Sequence, residues 1–278
     1  MTTKDYETWL DLFLIEKSGQ GLSPISIKGT EYSVNKYLKF LGNGLMNKSS
    51  FYEYLNSLDV SPVSKRHYAR DLRSFLYWCQ NEELIPKFKV SLPKAQESVP
   101  KIISEEDAKA LLFRYGKSFP EDRMYTVICL IFATGLRSRS IVNIKVEDLD
   151  FTNRSICVRE TKSKKVIVLP MTDSLYKVLY KYVRKWKLTD YLFPSEKGEK
   201  LESVGLQSAY KRYARQRGVP YGIHSLRHYY ATQAVRSGVS PFALQKILGH
   251  SDLSITMGYV NLVNGDLQNE MGKVDLIL

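Results

Sequence analysis

Four short segments between residues 133 and 259 carry side chains suited to act on a negatively charged group. They contribute Arg137, the pair His224 and Arg227, then His250, and finally Tyr259. Read singly, each has an ordinary explanation, because an arginine or histidine near a helix end often caps it and a tyrosine often packs in a core. With Lys162 added, the set is cationic and has no matching carboxylate. Such a set suits a phosphate, whose charge must be neutralised before a nucleophile approaches, and predicts a phosphodiester substrate.

A metal site is the alternative for the paired histidines. His224 and His228 stand four apart, which is the spacing of two ligands on one helix face. Arg227 lies beside them, however, and no Glu follows the first histidine as in the HExxH metalloprotease pattern, so we predict no metal. The three cysteines are scattered and lack a CxxC spacing, which indicates neither a disulfide framework nor a zinc ribbon. No cofactor is expected.

The charge of the chain also indicates a polyanionic partner. Lys and Arg number 41 against 29 Asp and Glu, a formal net charge of +12. Residues 151–220 alone hold 16 basic and 6 acidic side chains, whereas residues 1–95 hold 13 and 10. This excess favours nucleic acid as the partner and places the main contact in the C-terminal part. The alternative is that the basic balance only keeps the protein in solution.

Apolar spacing indicates which elements position these residues. Spacings of three and four predict helices over residues 4–17, 26–41, 48–58 and 62–80, with Ser23 as an N-cap before Pro24. We therefore expect a helical domain over residues 1–90, a proline-punctuated linker over 91–102, and a second domain over 103–278 that opens with a helix capped by Ser104.

The second domain is expected to be helical apart from one β-hairpin. Two β-branched runs, 155–159 and 166–169, flank a turn that carries Lys162, Lys164 and Lys165. Gly135 follows an apolar helix and is expected to end it, which would place Arg137 at a turn. The fold class is thus mainly α with a small β-hairpin or sheet (α+β).

The order and spacing of the reactive segments match a known set of boxes. These are residues 133–137 (ATGLR), residues 224–228 (HSLRH) with 231–232, residues 248–254 (LGHSDLS), and Tyr259 nine residues after His250. In these boxes the chain resembles the tyrosine recombinases of the phage integrase family, and in layout it is similar to the compact Xer recombinases. The likeness covers nearly the whole chain, and Lys162 stands at the hairpin turn where the family has its lysine. Two positions depart from the family pattern: Ser140 replaces an acid that holds the first arginine, and Asn261 replaces a common histidine.

The resemblance implies roles for the residues. Tyr259 would attack the scissile phosphate and leave a 3′-phosphotyrosine, while Arg137 and Arg227 bind the non-bridging oxygens. His224 is the candidate base, His250 would donate a hydrogen bond to a phosphate oxygen, and Lys162, with Lys164 and Lys165 as rivals, would protonate the leaving 5′-oxygen. The N-terminal domain would be a core-binding domain that clamps duplex DNA with the catalytic domain, and no metal or nucleotide is needed.

The resemblance also implies partners. The partners are double-stranded DNA with specific recombination sites and further copies of this chain, as a tetramer on DNA. Apolar spacing predicts a tail helix that begins near Asn264 or Asp266 and ends at Gly272. By the resemblance it would dock on a neighbouring protomer, or alternatively on its own domain. No apolar run approaches the roughly 18 residues of a membrane span, and the N-terminus lacks signal-peptide features, so a cytoplasmic, nucleoid-associated protein is expected.

Several functions remain open from the sequence. Resolution of chromosome dimers, as by Xer recombinases, is favoured because the chain shows no additional arm-binding domain. Integration or excision of a mobile element is the alternative. Two more distant alternatives remain. One is a type IB topoisomerase, which shares the Tyr, Arg, His and Lys chemistry, and the other is a DNA-binding regulator with an inactive site.

Overall fold

The structure, a computed structural model, describes residues 3–94, 103–159, 166–249 and 252–263. The chain divides into two compact units, Met1–Val99 and Pro100–Leu278. Each unit has its own hydrophobic core. Across the described ranges, no helix is both long and apolar enough to cross a membrane.

The N-terminal unit is a bundle of four helices, which confirms the prediction from apolar spacing. The helices are α1 (Thr3–Gly19), α2 (Pro24–Leu41), α3 (Lys48–Ser57) and α4 (Pro62–Asn81). Ser23 and Ser61 cap α2 and α4, each accepting a hydrogen bond from the backbone N–H three residues on, and a proline follows each cap. Aromatic side chains fill the core, with Phe13 and Phe75 in edge contact at 5.5 Å between ring centroids.

The chain after α4 stays against this bundle. Ile85 and Val90 are buried in the same core, and Leu92 packs on it. The guanidinium of Arg66 donates to the carbonyl of Pro93 at 2.7 Å. The first residues of the predicted linker, 91–94, therefore lie on the bundle, whereas residues 95–102 lie outside the described residues.

The C-terminal unit is mainly helical with a small sheet, and this confirms the expected fold class. Its helices are α5 (Glu105–Leu112), α6 (Phe119–Thr134), α7 (Ser138–Ile141), α8 (Asp173–Trp186), α9 (Ser203–Gln216), α10 (Ile223–Arg236), α11 (Pro241–Leu248) and α12 (Leu253–Val263). A 3-10 helix spans Val146–Asp148. The expected cap of α5 is present, since Ser104 accepts a hydrogen bond from the N–H of Asp107.

The sheet has three antiparallel strands in the order β1 (Leu149–Asp150), β2 (Ser155–Arg159) and β3 (Val166–Pro170). Strands β2 and β3 pair with Ser155 opposite Pro170 and Arg159 opposite Val166, so the predicted hairpin is confirmed. Strand β1 was not expected, because a strand of two residues is too short to show a periodic pattern. Residues 160–165, for which the sequence predicts the turn, lie outside the described residues.

Helix α6 lies at the centre of the C-terminal unit. Val127, Ile128, Leu130 and Ile131 are all buried, and α6 packs against α8 and α10. A helix that is apolar around most of its circumference has to be enclosed by others. Its C-terminal end, where the first reactive segment begins, is therefore positioned inside the unit.

Candidate active site

Gly135 ends α6 in the left-handed conformation, as predicted, with φ of 64°. A Cβ atom at this position would lie 2.4 Å from Cδ1 of Tyr230 and 2.8 Å from Cδ2 of Leu248. Both the backbone angle and the close approach thus require glycine. The chain then turns, and Arg137 becomes the N-cap residue of α7.

Arg227 on α10 is only 6% exposed. Its guanidinium donates to the carbonyls of Gly135 and Leu248, both at 2.7 Å. These carbonyls lie at the C-terminal ends of α6 and α11, where helix backbones leave acceptors without an intrahelical partner and carry partial negative charge. The two helix ends therefore stabilise and orient a buried cation.

Arg137 reaches the same end of α11. Its Nη2 donates to the carbonyl of Gly249 at 3.3 Å, and the side chain is half-buried. Ser140 stands where the family pattern has an acid that holds this arginine. In this chain the carbonyl of Gly249 is one group that orients Arg137. Because a guanidinium has five N–H donors, anchoring by carbonyls is compatible with donation to a phosphate as well.

His224 lies in the first turn of α10, on the exposed side of that helix. Partial desolvation, with the charges of Arg227 and Arg137, lowers its pKa. At neutral pH the imidazole is therefore neutral and has a nitrogen lone pair available to accept a proton.

Tyr259 lies on α12 and is 5% exposed, in a small core with Ala231, Leu244 and Leu248. Burial raises the pKa of its hydroxyl, and the charges of Arg227 and Arg137 oppose that effect. The predicted nucleophile and the two predicted phosphate-binding arginines thus act on one another electrostatically within the C-terminal unit.

His228 contacts Tyr259 directly, and analysis of the sequence missed this. Its Nδ1 lies 2.8 Å from the Tyr259 hydroxyl oxygen, with the rings 5.7 Å apart between centroids. The sequence suggested only a metal-ligand reading for His228. No group of three or more His, Cys, Asp or Glu that could hold a metal occurs within the ranges that the structure describes. The contact joins α10 to α12, and no local pattern shows which helices meet.

The two neighbouring tyrosines have packing roles. The Tyr229 ring lies 5.2 Å from that of Phe132 between centroids, and Tyr230 packs over Gly135. Burial also raises the pKa of Tyr230. Lys162, Lys164, Lys165 and His250, together with the tail from residue 264, lie outside the described residues.

The sequence model of the phage integrase family matches residues 101–264 of this chain. That range is more than half of the chain and contains Arg137, His224, Arg227 and Tyr259. The chain belongs to the phage integrase family.

Relatives within this family match most or nearly all of the chain. The tyrosine recombinase XerA of Thermococcus kodakarensis is 28% identical over 279 residues, which cover 99% of this chain and 95% of the relative. XerA of Saccharolobus solfataricus is 32% identical over 211 residues, or 76% of this chain and 67% of the relative. The solved structure of the Tn1549 transposon integrase in complex with transposon right end DNA has a TM-score of 0.77 at 20% identity, with 99% and 100% of the two chains covered. This integrase-family protein is accordingly a tyrosine recombinase, an enzyme of site-specific recombination that is similar to the Xer proteins.

Proposed function

We propose that this recombinase cuts and rejoins duplex DNA through a 3′-phosphotyrosine formed on Tyr259. The observation that carries the proposal is the electrostatic interaction of the buried Tyr259 hydroxyl with Arg137 and Arg227, whose charges oppose the rise that burial causes in its pKa. A tyrosine with an ordinary pKa near 10 is a poor nucleophile at neutral pH, and nearby cations favour its ionised form. The same cations favour the negative charge that develops on the phosphate.

The arginines take the non-bridging oxygens of the scissile phosphate. Both are anchored to the end of α11, through the carbonyls of Leu248 and Gly249, so their guanidiniums are held before substrate arrives. Preorganised donors of this kind stabilise a transition state without paying for reorganisation during the reaction. His224, neutral and beside the same arginines, is a base candidate at this site.

Two further roles are proposed from the sequence resemblance alone. Lys162, in the segment between β2 and β3, protonates the leaving 5′-oxygen, and His250, directly after Gly249 in sequence, donates a hydrogen bond to a phosphate oxygen. A substrate with sulfur at the bridging 5′ position tests the first role, because a thiolate leaves without protonation. Lys162→Ala should be rescued by that substrate, and rescue of Lys164→Ala instead would transfer the role to Lys164.

The decisive experiment uses a nicked suicide substrate, which traps the covalent protein–DNA adduct. Tyr259→Phe removes one oxygen and should bind the DNA while forming no adduct. Tyr229→Phe is the matched control, since Tyr229 has a packing contact with Phe132, and it should form the adduct normally. Persistence of the adduct in Tyr259→Phe, or its loss in Tyr229→Phe, would reject Tyr259 as the nucleophile.

Double-stranded DNA is the proposed partner of both units. Residues 1–90 form the core-binding domain, residues 91–102 the linker and residues 103–278 the catalytic domain. The net charge of +12, concentrated in residues 151–220, supports binding to a polyanion. Affinity should fall steeply as salt is raised, and removal of residues 1–95 should weaken binding. An affinity insensitive to salt would contradict this arrangement.

The proposed biological role is Xer-type resolution of chromosome dimers by a tetramer on DNA. Near full-length coverage of relatives named XerA supports it. Adducts mapped on duplexes from the host chromosome should fall at one site, and a plasmid with two directly repeated copies should be resolved. Cleavage only at the ends of a mobile element would favour the integrase alternative.

The tail from residue 264 is proposed to dock on a neighbouring protomer. A chain cut after Asn264 should then bind single sites normally but lose cooperative binding to paired sites, and unchanged cooperativity would contradict this.

A further inference from the structure

Helix α10 directs two consecutive side chains to different parts of the site. Arg227 binds the carbonyls at the ends of α6 and α11, while His228 points to α12, where its Nδ1 lies 2.8 Å from the Tyr259 hydroxyl. A separation of 2.8 Å is the usual length of a good hydrogen bond. The histidine side chain is half-buried and that of Tyr259 is almost fully buried. The oxygen proposed to attack phosphorus is thus in direct contact with a titratable group.

We propose that His228 is the base that removes the proton from Tyr259 during attack on the scissile phosphate. The inference rests on the proposed function, because it concerns the proton of the proposed nucleophile. It assigns to His228 the role that the family resemblance suggests for His224. A general base has to lie within hydrogen-bond reach of the proton that it takes, and the Nδ1 atom of His228 meets that requirement.

The charge states of the two groups agree with this direction of transfer. Burial, with the neighbouring His224 and Arg227, lowers the pKa of His228, so the imidazole is neutral near pH 7. Burial raises the pKa of Tyr259, so the phenol keeps its proton in the free protein. In the neutral tautomer that carries its proton on Nε2, the phenol O–H donates to the unprotonated Nδ1, which is the arrangement that precedes proton transfer.

Binding of DNA favours transfer of the Tyr259 proton to His228. Within the described residues, the charged or titratable groups that act on the pair are His224 and Arg227 on α10 and Arg137 before α7. In the free protein the positive charges oppose formation of an imidazolium. A bound phosphodiester brings negative charge to the arginines, offsets that repulsion and raises the basicity of His228. Deprotonation of Tyr259 is thereby linked to the presence of the phosphate that it attacks.

Cleavage and rejoining use the same two proton-transfer groups, His228 and the proposed acid Lys162. On cleavage the Tyr259 oxygen–phosphorus bond forms, the bond from phosphorus to the 5′-oxygen breaks, and the phenol proton moves to Nδ1 of His228. The 5′-oxygen leaves with a proton from the proposed acid, Lys162. On rejoining, the incoming 5′-hydroxyl gives its proton back to the neutral amine of Lys162 and its oxygen bonds to phosphorus. The bond from phosphorus to the Tyr259 oxygen breaks, and the imidazolium of His228 returns its proton to that oxygen.

The test is single-turnover adduct formation on a nicked suicide substrate at saturating DNA. His228→Asn places an amide near the position of Nδ1, which can accept a hydrogen bond but cannot take a proton at neutral pH. We expect its rate to fall by about 10²-fold or more, as for other general bases, with DNA affinity unchanged. The wild-type rate should decrease on acidification as His228 becomes protonated, and His228→Asn should lack that decrease. His67→Asn, the same change in the N-terminal unit, is the control and should keep the wild-type rate.

A second measurement separates a base from a residue that only positions the tyrosine. A ring-fluorinated tyrosine installed at position 259 is more acidic and needs less help to lose its proton. It should restore much of the lost rate in His228→Asn, and in His228→Gln if the Asn variant folds poorly. A wild-type rate in His228→Asn would overturn the inference, as would a slow rate that fluorination does not improve. Fluorine rescue of His224→Asn instead would assign the base to His224, whereas absence of any adduct in the wild-type protein would reject the proposed function itself.

Discussion

The hydrogen bonds that cap helices of the N-terminal bundle and those that anchor the arginines of the C-terminal site span very different sequence distances. In the N-terminal bundle, Ser23 and Ser61 bond to backbone groups three residues away, so each helix start is closed locally. In the C-terminal unit, Arg227 bonds to a carbonyl 92 residues away and Arg137 to one 112 residues away. The bundle is thus stabilised at its helix starts by neighbours in sequence, while the site exists only when α6, α10 and α11 are assembled. Changes to the site should act on chemistry and on several helices together.

The largest effect is expected from Arg227→Lys, which keeps the charge but removes the forked guanidinium. Lysine cannot bind the carbonyls of Gly135 and Leu248 while presenting planar donors to a phosphate. Adduct formation should fall by about 10²–10³-fold, the usual effect of losing a donor to transition-state charge. The rate of adduct formation on the nicked suicide substrate measures this loss.

The N-terminal unit offers a matched control for that change. Arg66 also donates to a carbonyl, that of Pro93, but within the bundle. Arg66→Lys should leave the rate of adduct formation unchanged at saturating DNA. If Arg66→Lys and Arg227→Lys slow adduct formation equally, the loss does not depend on the place of Arg227 in the site, and the contrast between the two units is wrong.

The second prediction concerns Gly135→Ala. Backbone strain at positive φ should cost about 1–3 kcal/mol. Overpacking against Tyr230 and Leu248 should add about 1–3 kcal/mol. Since the Gly135 carbonyl anchors Arg227, adduct formation should also decrease. Denaturant unfolding and hydrogen exchange of α6 and α10 measure the stability.

Gly21→Ala separates these two costs. Gly21 also has positive φ, at 85°, but an added Cβ would meet nothing within 4 Å. It should therefore show only the strain, confined to α1 and α2, and no loss of adduct formation. If Gly135→Ala costs no more than Gly21→Ala, the close approach of Tyr230 does not contribute to stability.

The same contrast explains what the sequence could predict. Some features depend only on residues that are neighbours in sequence, and their predictions are confirmed. They are the helix starts at Ser23 and Ser104, the helix end at Gly135, and the hairpin of β2 and β3. The carbonyl anchors of the arginines and the His228–Tyr259 contact depend on which helices meet, which neither spacing nor propensity encodes. The box resemblance named most of the site residues without giving their contacts, and so it passed over His228.

The third prediction tests the local caps. Ser23→Ala removes the acceptor for the N–H of Ser26 and should cost about 1 kcal/mol in the stability of the bundle. Ser118 is the N-cap residue of α6, yet its side chain makes no cap hydrogen bond in the described structure, so Ser118→Ala should change stability far less. Urea unfolding followed by hydrogen exchange assigns each loss to its unit. A larger cost for Ser118→Ala would show that cap geometry does not govern these helix starts.

The smallest expected effect is on the pH dependence of stability, through two histidines of the C-terminal unit. Burial lowers the pKa of both His224 and His228 in the folded protein, while the unfolded chain should titrate near the ordinary value of about 6.5. Between those values the unfolded state binds more protons, so the free energy of unfolding decreases as pH falls below about 6.5 and is fully recovered above it. His228→Asn removes one of the two groups. The loss of stability between pH 7.5 and pH 5.5, measured by thermal unfolding, should therefore be smaller in this variant than in the wild-type protein, even if its stability at pH 7.5 is lower. An identical pH dependence in the two proteins would mean that His228 takes up its proton as readily folded as unfolded, and the buried, neutral state assigned to it beside Tyr259 would be wrong.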